Sequence, residues 1–189
     1  FFLFNLSTLF IIIFIRQFKL LRITVFVFSF IVITMIGAQN EGLYSRFIKE
    51  PITSMGLDKT SNEKKIFTSA HDSLYRTSWN MFLDKPILGH GPKLFRVKCK
   101  DEKFKFGNSK CHTHPHNFYI QLLAETGIVG FSFLFGLLIY FIFLVYKQVI
   151  HRYFLKRDFL SDYQICLLAG LLITIWPLIP NGSFFNNHL

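Results

Sequence analysis

The chain has 189 residues, of which 51% are hydrophobic, 18% aromatic and 17% charged, and its formal net charge is +10. This apolar content excludes a disordered chain, and three cysteines are too few for a disulfide-framework miniprotein. The apolar residues gather into four uncharged runs instead of scattering, which excludes an ordinary soluble globular domain.

The first run is Phe1 to Ile15. No charged segment precedes it, so a cleavable signal peptide is a poor fit. The second is Ile23 to Ala38, lengthened by Leu20 and Leu21, with Arg22 placed to snorkel to the interface. The third is Ile128 to Tyr146, and the fourth starts at Tyr163 and stays uncharged past Pro180. A bilayer core needs ~20 apolar residues in a helix, which the third and fourth runs meet. Because the sequence starts at Phe1 and stops at Asn-Asn-His-Leu, it reads as a piece of a longer membrane protein. The expected organisation is two transmembrane helices in 1–38, one large loop in 39–117 and two transmembrane helices in 118–189.

The 21 Lys and Arg fall as three in Arg16–Arg22, fourteen in Gln39–Asn117 and four in Lys147–Asp162. Orientation is read from short loops, because long ones translocate largely regardless of charge. The short loops hold the basic residues more densely. They are therefore expected in the cytoplasm and the large loop outside, which in a bacterium with two membranes is the periplasm. No Asp, Glu, Lys, Arg or His lies inside the third or fourth run, which weakens a transporter reading.

The large loop carries a basic crowd at Lys93, Arg96, Lys98, Lys100, Lys103, Lys105 and Lys110. That is either a solvated surface that adheres to anionic headgroups or an electrostatic funnel for an anionic substrate. No nucleic-acid module is visible, so nucleic acid is not an expected partner. Ser69 to Leu83 has helical period, with Leu74, Tyr75, Trp79, Phe82 and Leu83 as its apolar face and Ser69/Asp72 resembling a capping box. Such a helix is expected along the membrane, with Trp79 at headgroup level. Arg76 falls one turn after Asp72, an ordinary ion-pair spacing.

Asp84 to Pro92 holds two prolines and two glycines, a rigid turn. Gly89 and Gly91 admit a backbone that can cradle phosphate, without the lysine-serine pair of a nucleotide loop. Then comes Cys111-His112-Thr113-His114-Pro115-His116-Asn117. Pro115 keeps His114 extended. Three histidines at spacing two, with Cys111, are compatible with zinc, but no second cysteine pair or well-spaced carboxylate completes a site, so no metal is expected. The plain alternative is a structured turn leading into a helix. Asn117 is a good N-cap, and the helix N-terminus beyond it attracts anions and disfavours an imidazolium at His116.

Arg76-x-x-Trp79, Pro86-x-x-Gly89-x-Gly91, His114-Pro115-His116-Asn117 and Glu125-x-Gly127, in this order before a membrane span, resemble the O-antigen ligase and polymerase superfamily. The likeness covers Ser69 to Tyr146, with the flanking spans agreeing in topology. It implies an all-α, polytopic, GT-C-like glycosyltransferase of the bacterial inner membrane, with this chain as its C-terminal half and four spans. The implied donor is a glycan on an undecaprenyl (polyprenyl) diphosphate. The implied acceptor is a sugar hydroxyl, on lipid A–core for a ligase or on another repeat unit for a polymerase. Neither a metal nor another cofactor is implied. By motif position the catalytic pair is Arg76 and His116, with His114, Asn117, Trp79, Gly89, Gly91 and Lys93 at the substrate.

The chemistry is consistent with this. A dianionic diphosphate must be neutralised as it leaves, and the chain has no Asp-x-Asp pair to hold a metal. Arginine's planar fork binds phosphate bidentately, and a histidine with a pKa near ~6.5 suits deprotonation of a hydroxyl. A lipid-linked oligosaccharide transporter half and a non-catalytic membrane scaffold are the competing readings. Cys99 and Cys111 are expected to form a disulfide, since both lie in the outer, oxidising compartment while Cys166 lies within a span. Of two roles open to Glu125, orienting His116 or ending the helix that leads into the third span, the second is expected, and His90 and His112 are expected to have no catalytic part.

Overall fold

The computed structural model describes residues 2–54, 67–107, 110–178 and 180–186. Parts of the expected loop (55–66 and 108–109) and of the expected fourth segment (179 and 187–189) lie outside the described residues. Among those described, every regular element is helical and there is no strand. The order is α1 (Phe2–Phe14), α2 (Lys19–Gln39), α3 (Glu41–Tyr44), a π-helical turn (Ser45–Lys49), α4 (Glu50–Ser54), α5 (Ser69–Asp84), α6 (Phe95–Lys98), α7 (Phe118–Tyr153) and α8 (Asp162–Ile175). The chain divides into two compact units, Phe1–Tyr44 with Leu137–Trp176, and Ser45–Gly136 with Pro177–Leu189.

Two of the four expected spans are helices long and apolar enough to cross a membrane. These are α2 with 21 residues, none of them buried, and α7 with 36, whose apolar stretch is almost wholly unburied. The other two runs are shorter: α1 has 13 residues and α8 has 14, against the ~20 a hydrocarbon core requires. The expected fourth span ends at Ile175 because Trp176 precedes Pro177 and is extended, at φ −62° and ψ 121°.

In the first unit α8 buries a stripe at Ile165, Leu168, Ala169, Leu172 and Ile175, the helical spacing of one packed face. It packs on α1, where Leu3, Ile12 and Phe14 are buried. Ser7 sits at that contact and donates its hydroxyl to the carbonyl of Ala169 at 2.8 Å. Arg152 is buried and donates to the carbonyl of Phe14, with Asp158 also at 3.3 Å. A capping box between Ser161 and Gln164 starts α8.

The second unit is built on α5. Its buried face is Ser73, Leu74, Thr77, Ser78 and Met81; of the apolar face expected along the membrane, Leu74 alone belongs to it. Trp79 and Leu83 are 46% and 60% exposed. The small polar residues turn inward because the segment 104–106 supplies their partners. Ser73 donates to the Phe106 carbonyl, Thr77 accepts the Phe106 amide, and Asn80 donates to the Phe104 carbonyl. The cap also differs from expectation. Thr68 is the N-cap, and its hydroxyl bonds the His71 ring at 2.7 Å instead of a backbone amide. Leu74, Met81, Phe95, Cys99, Phe104 and Ala124 form one core cluster, with Cys111 against it.

Candidate functional site

Within the second unit, α7 is interrupted at Gly127, which has φ 63°. A break leaves carbonyls without partners on one side and amides on the other. The Pro86–Gly91 turn supplies both. His90 and Gly91 donate their amides to the carbonyls of Ala124 and Glu125, at 3.1 and 2.8 Å. Ile128 and Val129 donate to the carbonyls of Pro86 and Ile87, at 2.8 and 3.3 Å. Glycine is required on both faces of this contact. A Cβ on Gly89 would collide with the Glu125–Thr126 backbone, and one on Gly127 with the Ile87–Leu88 backbone.

In sequence the glycine turn is one that could cradle phosphate. Its amides are instead taken: Gly89 bonds Lys85, His90 bonds Ala124 and Gly91 bonds Glu125. Its glycines serve close backbone approach. Glu125 likewise does more than end a helix. It is fully buried, its Oε1 accepts the Phe95 amide at 2.8 Å, and its Oε2 accepts from Gln121 at 3.0 Å. Gln121 in turn reaches Ser183 and the amide of Phe184.

Cys99 and Cys111 are joined as a disulfide with Cα atoms 5.5 Å apart. This ties α6 to the segment that begins at His112. Asn117 then caps α7, with its Oδ1 accepting the amides of Tyr119 and Ile120 at 3.0 and 3.2 Å. Its Nδ2 donates to Pro177 at 2.7 Å. Both ends of that amide are engaged by the chain itself, so Asn117 holds the loop.

His116, just before this cap, adopts φ 61°. Such a left-handed residue costs roughly 1–3 kcal/mol and persists only where its surroundings impose it. Asn181 donates to its carbonyl at 2.8 Å. Its ring lies 4.2 Å from that of His114, 5.5 Å from His112 and 5.9 Å from His71. Burial first, and then the imidazoles of His114, His112 and His71, hold its pKa below the usual 6.5. His71 is lowered too, by burial and by His112. Both effects disfavour the protonated form of His116. Among the described residues, no group of three or more His, Cys, Asp or Glu is arranged to hold a metal ion.

The sequence did not single out His71. The available signal was its position one turn before Tyr75 on the helix that carries Arg76. His112, given no role, belongs to the same cluster. His90 stands apart: its ring is buried, 3.0 Å from the Met81 carbonyl and 3.5 Å from Asp84.

Arg76 is more than half exposed, at 58% of its side chain, and pairs with Asp72 at 3.0 Å. Its guanidinium lies 4.8 Å from the centre of the Phe106 ring. Trp79 rests against Phe82, with ring centres 5.1 Å apart. Lys93 is exposed in a left-handed conformation at φ 63°. In the basic segment, Lys98 pairs with Asp101, Lys103 with Asp84, and Lys105 with Glu102. The Lys103 contact and its neighbouring cations hold the Asp84 carboxyl below its ordinary pKa. These pairs reduce the charge available to a funnel.

A family model described as O-antigen ligase matches residues 1–135, more than half of the chain. No curated protein and no solved structure matches it.

Proposed function

The chain belongs to the O-antigen ligase family, and from that premise we propose that it is a membrane glycosyltransferase of the ligase type. In this reading it moves a glycan from a polyprenyl diphosphate to a sugar hydroxyl of lipid A–core. The reaction takes place at the periplasmic face of the bacterial inner membrane, with the residues of 39–117 outside.

The observation that carries the reading is the setting of His116. A histidine whose surroundings disfavour its protonated form is suited to general-base work at neutral pH. His116 takes the proton of the acceptor hydroxyl. That oxygen bonds to the anomeric carbon, and the bond from this carbon to the diphosphate oxygen breaks. Direct displacement inverts the anomeric configuration and releases the polyprenyl diphosphate.

Arg76 neutralises the leaving group. Its present partner does not prevent this, because an exposed i, i+4 pair is worth only ~0.3–0.5 kcal/mol. A diphosphate offers charge-assisted, bidentate bonds that are stronger. Exchange of Asp72 for the donor is therefore favourable. His114 and His71 flank the base, and Lys93 and Trp79 are exposed for donor or acceptor contacts.

A transfer assay with a lipid-linked glycan donor and a lipid A–core acceptor tests the reading. Wild type is expected to extend the acceptor and His116→Ala to lose ~10²–10⁴-fold in turnover. Full transfer by His116→Ala would overturn the base assignment. Extension of a lipid-linked repeat in place of the core would make the enzyme a polymerase.

A further inference from the structure

We propose that the Pro86–Gly89 turn is an interfacial anchor that enters the outer leaflet beside the start of the α7 span. This rests on the membrane reading above. The turn carries Ile87 and Leu88, which are 64% and 72% exposed. Two apolar side chains at the tip of a solvated loop would be a standing cost. Their backbone, however, is not free to sit in water away from the span. The carbonyls of Pro86 and Ile87 are hydrogen-bonded to the amides of Ile128 and Val129, the first residues of the apolar helix beyond the break. Ile128, Val129 and Phe133 of that helix are themselves 48%, 45% and 78% exposed. The turn and the head of the span therefore present one continuous apolar surface.

A loop enters lipid only if its backbone polar groups are satisfied. This turn meets that demand on both sides of its tip. Pro86 has no N–H. The carbonyls of Pro86 and Ile87 and the amides of Gly89, His90 and Gly91 are all hydrogen-bonded within the chain. Lys85, exposed at the edge of the turn, is placed to snorkel toward headgroups. The partner is the acyl region of the bilayer, continuous with the lipid around α7. The consequence is positional. The turn is also hydrogen-bonded to Ala124 and Glu125, so its depth fixes the level of the helix that Asn117 caps behind His116.

The test uses the full chain in nanodiscs, in a Cys166→Ala background that keeps the Cys99–Cys111 bridge. A nitrobenzoxadiazole probe is attached at Leu88→Cys, with Ile87→Cys as a second site. Phe133→Cys and Lys100→Cys serve as span and solvent references. Anchoring predicts blue-shifted emission at 88 and 87, quenched by shallow lipid-borne nitroxide as at 133 and protected from aqueous iodide. Iodide quenching at 88 and 87 equal to that at 100, with 133 still in lipid, overturns the anchor alone. Protection from both quenchers means a protein surface covers the turn, and that also overturns it. Iodide quenching at 133 overturns the membrane reading and the anchor together.

Discussion

The amide of Ile128 donates to the carbonyl of Pro86 at 2.8 Å. With that bond and its three neighbours, the Pro86–Gly91 turn becomes the splint for a broken helix. Gly127→Ala should be strongly destabilising, because the site combines φ 63° with a Cβ collision against the Ile87 backbone. A left-handed position alone costs roughly 1–3 kcal/mol, and the displaced turn adds to it. Gly136→Ala, with open space around its Cβ, should be neutral or slightly stabilising. Thermal unfolding of the two variants in detergent measures the contrast. Equal midpoints would refute the splint.

The carboxylate of Glu125 should behave as a buried acceptor rather than a helix end. Glu125→Gln keeps one acceptor and places an NH2 group against either the Phe95 amide or the Gln121 amide. One donor is then left unmatched, at a cost of about 1–3 kcal/mol. The α6 segment should loosen with it, read as faster hydrogen exchange at the Phe95 amide. Unchanged exchange would show that the contact does not hold α6.

The long uncharged runs made α2 and α7 legible in the sequence, since length and hydropathy alone define such helices. Asn117 as the cap of α7 was also readable, from residue type and position. The splint was not. Hydrogen bonds between Pro86–Gly91 and Ala124–Val129 leave no periodicity, and the Gly89–Gly91 motif reads equally well as a ligand loop. The protein-facing side of α5 was not legible either, for a related reason. Ser73 and Thr77 look solvent-facing until residues 104–106 supply their partners, and then Trp79 is turned outward. Pro177 was visible, but an apolar run that continues through it hid the end of α8.

The Cys99–Cys111 bridge closes a short loop carrying most of the basic segment, and it ends one residue before the histidine cluster. Loss of a bridge over a loop of this size should cost about 3 kcal/mol on chain-entropy grounds. Cys99→Ser with Cys111→Ser should therefore lower both the unfolding midpoint and transfer activity. Mass spectrometry of alkylated, non-reduced protein checks the pairing first. Alkylation of both thiols would dispose of the bridge.

Arg76→Lys keeps the charge but loses the planar fork, so it should lose much of the transfer activity. Asp72→Asn removes only the exposed partner of Arg76. It should leave activity unchanged or raise it, because Arg76 then no longer has to leave a carboxylate. Loss of activity in Asp72→Asn equal to that in Arg76→Lys would mean the ion pair itself is required.

The cluster around His116 predicts a specific response to pH. Burial, then His114, His112 and His71, depress its pKa below 6.5. Activity that needs neutral His116 should therefore persist below pH 6.5 and fall only as pH passes through the depressed value. Removing His71 takes away one like-charge contribution and raises that value. In His71→Asn, the acid limb of kcat/KM should accordingly move to higher pH, toward the unperturbed position. Stability follows the same sign. The unfolded chain binds a proton on His71 and His116 at higher pH than the folded chain does. Their contribution is thus fully present above 6.5 and is lost as pH falls through the depressed folded values. Unfolding midpoints from pH 7.5 to 5 should decline more steeply for wild type than for His71→Asn combined with His116→Asn. A kcat/KM profile of His71→Asn that overlays wild type would separate His71 from the base, leaving burial and the 112–114 segment as the source of the shift.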